Sequence, residues 1–132
     1  MIDMRHRLSK EIRRAVYEKY DGRCAYCGRK IDFRDLQVDH IIPFAQEYYA
    51  NRERRDEVKR MIEDGTIDSI GNLMPACRAC NFYKGGNDIE GFRRSIKDQL
   101  EHTCKDTFQA KLAIYYGILT FTPWDEKFYF EK

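Results

Sequence analysis

The chain has 132 residues, a size that suits one domain whose core is small enough to need help. With 42% hydrophobic and 35% charged residues it reads as a soluble globular protein, and no long apolar run suggests a membrane span, so no membrane partner is expected. The net charge of +2 hides an asymmetry. Residues 1–60 carry 15 Lys and Arg against 11 Asp and Glu, and residues 61–132 carry 9 against 11, so the basic first half suits a polyanionic partner or presents a solvated face.

The N-terminal stretch Met1-Ile-Asp-Met-Arg-His-Arg7 lacks the apolar segment of a signal peptide. The five cysteines are an odd number, and in a reducing compartment they are expected to stay unpaired, so a cytoplasmic location is expected. Ser9 can cap a helix running to about Tyr20, with Ile12, Val16 and Tyr20 on one face and Asp21-Gly22 ending it. Arg13, Arg14 and Lys19 fall largely on the other faces, open to phosphates or only to water.

Cys24-Ala-Tyr-Cys27, followed by Gly28, Arg29 and Lys30, has the form of a knuckle in which a turn brings two sulfurs onto one zinc ion. A redox C-x-x-C would instead follow a strand and open a helix. Here a helix precedes it. A second pair, Cys77 and Cys80, completes an all-thiolate set of four for a structural Zn²⁺, while Cys104 is left over and reads as a buried thiol. Between the two pairs, Leu36-Gln-Val38 fits a short strand, stopped by Pro43, with Asp39 and His40 at its end and their side chains on opposite sides. A carboxylate beside an imidazole offers an oxygen ligand for a metal and a base for a water.

Gln46 to about Asp64 reads as a helix rich in Arg and Glu, closed by Gly65, whose mixed charges favour a spacer over a DNA-facing arm. Ile70 to Cys77 gives a second strand entering the second knuckle, and from Arg78 a short helix runs to Gly85-Gly86. The expected fold class is therefore α+β, a ββα unit around a metal with a four-cysteine zinc site and added flanking helices.

The array C-x2-C, then Asp39-His40-Ile-Ile-Pro43, then Gly71-Asn72-Leu73-Met74-Pro75-Ala76-Cys77-x2-Cys80-Asn81-x2-Lys84 resembles the HNH endonuclease family, in particular its zinc-containing bacterial and phage or mobile-element members. Asn81 stands where the family name has its last histidine, giving an H-N-N pattern. The resemblance implies a DNA endonuclease or nickase acting on double-stranded DNA, and on other nucleic acid by extension, with low intrinsic sequence specificity. It implies His40 as general base, Asp39 and Asn81 as ligands of one divalent ion, and Asn72 as the asparagine that braces the loop around His40. Because both protein ligands of that ion are hard oxygens, Mg²⁺ or Mn²⁺ is expected there. Lys84, Arg78, Arg13 and Arg14 are the candidate contacts to nucleic acid, with Lys84 alternatively capping its helix. A non-catalytic, zinc-stabilised module that binds nucleic acid or another protein is the alternative. It accounts for the cysteines but gives Asp39, His40, Asn72 and Asn81 no reason to occur together.

The rest of the chain is expected to complete a single domain over residues 1–132, with its core at about 10–90. Asn87-Asp88 can cap a helix over Ile89 to about Gln99 with Phe92, Ile96 and Leu100 on one face, and Thr107 to Tyr116 reads as another helix capped by Gly117. Ile118–Thr122 and Lys127–Glu131 can form a hairpin around Pro123-Trp-Asp-Glu126, its aromatic residues packing in the core or stacking on bases.

Overall fold

A computed structural model describes residues 8–48 and 51–132. The reading of Met1 to Arg7 lies outside the described residues. Helix α1 spans Lys10–Glu18, and Ser9 caps it by accepting from the Ile12 amide at 3.2 Å. Val16 is fully buried on its inner face, whereas Ile12 is 37% exposed. Strand β1 (Gln37–His40) pairs antiparallel with β2 (Leu73–Ala76) in the register Val38 opposite Pro75 and His40 opposite Leu73. Pro75 has no amide to donate, which a two-stranded sheet tolerates on its open side. Its carbonyl accepts from the Ala25 amide at 2.9 Å and so fastens the first cysteine loop to β2.

The connection between the strands is the long one. A 3₁₀ turn at Phe44–Tyr48 is followed by helix α2 (Arg52–Asp64), so the helix expected from Gln46 begins later; residues 49 and 50 lie outside the described residues. Asn51 explains the start: its side-chain oxygen takes the Arg54 amide at 3.0 Å, a better cap than any residue before it in the described turn. Gly65 ends the helix at φ 80°, a left-handed conformation that glycine adopts without a Cβ clash. The charges of α2 pair with each other, Arg54 with Glu57 at 3.1 Å and Arg52 with Asp56 at 3.9 Å, as suits a spacer. Two 3₁₀ turns, Thr66–Asp68 and Ile70–Asn72, then return the chain to β2.

Helix α3 (Arg78–Lys84) follows at once, capped by the Cys77 sulfur, and helix α4 (Ile89–Ser95) is capped by Asp88. From Ile96 to Cys104 the winding widens to a π-helix. Its i→i+5 hydrogen bonding breaks the 3.6-residue period on which an apolar stripe depends. Phe92 is buried accordingly, but Leu100 is 42% exposed and Cys104 is an exposed thiol, against the expectation for both. Helix α5 spans Phe108–Tyr115, with Thr107 and Gly117 at its ends as expected.

The expected C-terminal hairpin does not form. Its first limb loses its amides to the helix end, because Ile118 and Leu119 both donate to the Ala113 carbonyl, at 2.9 and 3.2 Å. Its second limb pairs elsewhere: Tyr129 donates to the Tyr26 carbonyl at 3.0 Å and Phe130 to that of Ala25 at 2.8 Å. The tail thus closes over the first cysteine loop. Phe128 is 2% exposed, stacks on Phe92 at 5.0 Å and meets the Tyr26 ring edge-on at 5.4 Å. These aromatics are core, and the tail is part of the same hydrophobic unit as the cysteine loop.

Phe128→Ala should therefore destabilise the protein by about 3–5 kcal/mol, the range for deleting a buried phenyl ring. Tyr115→Ala, at a side chain that is 77% exposed, should stay within about 0.5 kcal/mol. Urea unfolding of both variants measures the contrast; equal midpoints would show that the tail is not core.

Candidate active site and metal centre

The cysteines come together as the spacing predicts. Cys24 and Cys27 sit in a tight loop closed by the Gly28 amide on the Cys24 carbonyl (2.9 Å) and the Cys24 amide on the Arg29 carbonyl (2.8 Å). Gly28 is at φ 81°, and a Cβ there would lie 2.9 Å from the Tyr129 ring, so the position is closed to other residues. Cys77 and Cys80 lie at the start of α3. The four sulfurs are all within 4.8 Å of one another, and Cys27 Sγ and Cys77 Sγ are 3.9 Å apart. A tetrahedron of sulfurs about 2.3 Å from an ion has edges of about 3.8 Å, so the set fits zinc without rearrangement. The Arg29 guanidinium donates to Cys77 Sγ at 3.3 Å.

The thiols also show why a cation belongs there. The Cys24 thiol is pulled down to about 4 by a hydrogen bond from Cys80 and by backbone amides, against the opposing effect of burial. That same bond to Cys24, with burial, pushes Cys80 well up, and burial raises Cys27. Without an ion, one sulfur ionises at the expense of its neighbours. Four thiolates at this spacing require a cation between them, and the four-cysteine cluster could hold zinc.

Strand alternation sends Asp39 and His40 to opposite faces of β1. Asp39 turns inward and is 5% exposed. The Tyr26 hydroxyl donates to its Oδ2 at 2.5 Å, and Lys84 Nζ lies 3.0 Å from Oδ2 and 3.3 Å from Oδ1 while also donating to the His40 carbonyl at 2.9 Å. Burial raises the Asp39 carboxyl above its ordinary range, and Lys84 and Tyr26 oppose the rise. Burial and the Asp39 charge keep the Tyr26 hydroxyl protonated, hence a donor. Lys84 is itself fully buried. It is neither at the surface, where a DNA phosphate would meet it, nor capping its own helix; helical geometry carries its long side chain inward to the carboxylate.

His40 turns the other way, its side chain 15% exposed. Its Nε2 lies 2.7 Å from Oδ1 of Asp68, and its ring meets Phe44 edge-on at 5.0 Å. Asn72 is buried and spends its amide on the loops around the histidine. Oδ1 accepts from the Ile42 amide at 2.9 Å, while Nδ2 donates to the Ile42 carbonyl at 3.1 Å and the Ile67 carbonyl at 2.8 Å. Asn81 is half-buried on α3, one helical turn before Lys84 and so on the neighbouring face of the helix that meets Asp39.

Not every expected contact to nucleic acid stays open. Arg78 is exposed at the start of α3. Arg13 donates to the Leu36 carbonyl at 3.0 Å and Arg14 lies over the Phe33 ring at 3.9 Å, both tying α1 to the loop before β1. Lys19 is held on the Ile70 and Leu73 carbonyls, at 2.9 and 2.6 Å. Two residues at the centre of the site went unnoticed in the sequence. Tyr26 was visible only as the spacer of a C-x2-C, and Asp68 as one more acid in a polar stretch.

Residues 24–86 match the family described as HNH endonuclease. This segment belongs to the HNH endonuclease family: a small antiparallel sheet and helices around a cysteine cluster. Over 95 residues, 65% of its length, the chain is 28% identical to a CRISPR-associated endonuclease Cas9 of Corynebacterium diphtheriae, and over 65 residues, 49% of its length, the chain is 32% identical to a Bacillus subtilis protein named "SPbeta prophage-derived putative HNH endonuclease YoqL". The chain spans 7% of the first relative's length and 24% of the second's. No helix among the described residues is long and apolar enough to cross a membrane.

The Lys84–Asp39 pair makes a direct prediction. Removing one partner of a buried ion pair leaves an uncompensated charge, at about 3–5 kcal/mol. Lys84→Met should lose about that much in chemical unfolding, whereas a variant at the 85%-exposed Phe82 should lose almost nothing. A Lys84→Met protein as stable as the wild type would mean that the lysine does not neutralise Asp39.

Proposed function

We propose that this protein is a metal-dependent endonuclease that nicks or cuts double-stranded DNA by hydrolysing phosphodiester bonds. The observation that carries the reading is the Asn72 clamp. A buried amide with three hydrogen bonds holds the turn two residues after His40, which suits an imidazole that must act from one fixed position and has no purpose in a module that only binds. His40 is the general base. It takes a proton from water as the water oxygen forms its bond to phosphorus, and the bond from phosphorus to the departing deoxyribose oxygen breaks with its electron pair on that oxygen.

Asp39 and Asn81 would hold the catalytic ion. The Asp39 oxygens keep lone pairs beyond those taken by Tyr26 and Lys84, and both donors are hard, which fits Mg²⁺ or Mn²⁺. When bound, that ion supplies positive charge for the leaving oxygen. Zinc in the cysteine cluster is structural, and the free thiols suit a reducing compartment, the cytoplasm. Arg78, exposed at the start of α3, is placed to meet phosphates; such contacts position the protein without reading bases, so specificity is low.

Two experiments test the reading. In plasmid nicking, His40→Ala should lose roughly 10²–10⁴ in rate at unchanged DNA affinity. The wild type should work with Mg²⁺ or Mn²⁺ and poorly with added Zn²⁺, and Asn81→His should move the preference toward Ni²⁺. Near-normal nicking by His40→Ala would remove the proposed base. Separately, Cys80→Ser should lose bound zinc and cooperative unfolding together, since zinc binding in small domains is worth about 10–16 kcal/mol. A folded, zinc-free Cys80→Ser protein would sink the structural role.

A further inference from the structure

We propose that Asp68 is a positioning residue for His40, fixing the imidazole with its proton on Nε2 and leaving Nδ1 as the nitrogen that takes the proton from water. This rests on the nuclease reading above. Asp68 Oδ1 lies 2.7 Å from His40 Nε2, with the two side chains 32% and 15% exposed. A carboxylate only accepts hydrogen bonds, and a neutral imidazole has a single N–H, so the contact itself selects the tautomer. A fixed tautomer matters for a base because a ring that flips presents N–H to the water half of the time.

The approach of Asp68 is built into the fold. Its 3₁₀ turn opens on Gly65 at φ 80°, and the Asp68 amide closes it on the Gly65 carbonyl at 3.2 Å. The preceding residue, Ile67, is 2% exposed and anchors the turn in the core. Asn72 then ties the two sides of the pair together. One amide bonds Ile42, two residues past the histidine, and Ile67, one residue before the aspartate. Phe44 packs edge-on to the imidazole at 5.0 Å and limits its swing. A surface ion pair formed by chance would not have both of its backbones pinned by one buried side chain.

In the chemical step Asp68 takes no proton. Water gives one to Nδ1 as its oxygen bonds to phosphorus, the bond to the departing oxygen breaks with its electron pair on that oxygen, and solvent protonates it. The Nε2 proton stays on the ring, shared with the carboxylate, which steadies the imidazolium while it lasts.

The test uses the full chain, loaded with zinc, in single-turnover plasmid nicking with Mg²⁺. Asp68→Asn keeps the shape of the side chain but can donate as well as accept, so it no longer selects a tautomer. It should lose up to about 10⁴ in rate, the drop seen when a triad aspartate is changed to asparagine. DNA affinity and the unfolding midpoint should not move, and Asp68→Glu should recover part of the rate. In ¹⁵N NMR at mildly alkaline pH, with the His40 signals identified by comparison with His40→Ala, the wild-type ring should carry its proton on Nε2. In Asp68→Asn it should show a mixture. Wild-type rates for Asp68→Asn, or a wild-type ring protonated on Nδ1, would overturn the proposal. If the wild type does not nick DNA at all, the nuclease reading fails, and the tautomer still decides whether Asp68 orients His40.

Discussion

Three parts of the domain converge on one carboxylate. Asp39 comes from β1, Tyr26 from the first cysteine loop and Lys84 from the end of α3, and all three side chains are buried. A lone carboxylate in such a place would be protonated or expelled, because burial disfavours the charged form by far more than any single contact returns. Lys84 supplies the opposite charge and Tyr26 a hydrogen bond to the charged form, so the carboxylate remains an oxygen donor in a site almost closed to water. The arrangement is also a registration device. If the strand or the helix shifted by one position, two buried charges would lose each other at once, and a shift of the loop would take away the Tyr26 hydrogen bond.

The cysteine cluster acts on the same elements from the other side. Cys24 and Cys27 flank Tyr26, and Cys77 and Cys80 begin the helix that ends in Lys84. Whatever draws the four sulfurs together also fixes the loop and the helix that hold Asp39. The C-terminal tail extends this coupling. Its amides bond the carbonyls of Ala25 and Tyr26, and Phe128 packs on the Tyr26 ring whose hydroxyl reaches Asp39. Residues a hundred positions apart in the chain therefore stabilise one side-chain orientation.

Much of this was legible in the sequence, and the failures have physical causes. The two C-x2-C pairs, the Asp39-His40 strand end and the short helix after Cys77 are local patterns, set by turn chemistry, alternation and capping, and they stand where the spacing places them. Lys84 reads as a phosphate contact or a helix cap because a lysine at a helix end is ordinarily solvated; only the tertiary fold shows that α3 points it at a carboxylate 45 residues earlier. Asp68 was invisible for the complementary reason. No spacing rule links it to His40, and the link depends on how α2 and two 3₁₀ turns return the chain to β2. The missing hairpin had a plausible turn at Asp125–Lys127, where the Asp125 side chain does accept the Lys127 amide at 3.0 Å. A turn does not make a ladder when the amides on both limbs already have partners elsewhere.

The strand thus separates two kinds of work by the alternation of its side chains. The inward face, at Asp39, is electrostatic: a buried charge balanced by Lys84 before any divalent ion arrives. Because that balance exists within the chain, the proposed catalytic ion need not be part of folding, and a folding role would fall to the ion proposed for the thiolates. The outward face, at His40, carries the proposed proton transfer, and there the constraint would be orientation rather than charge, with Asp68 and Phe44 on the ring and the Asn72 clamp on its loop. Placing the proposed metal ligand and the proposed base on adjacent residues of one strand keeps them close along the backbone while the pleat keeps them from pairing with each other. A one-residue slip of β1 against β2 would exchange these two faces, turning the imidazole toward Lys84 and the carboxylate toward Asp68. The register of this four-residue strand is therefore as much a part of the chemistry as the residues it carries.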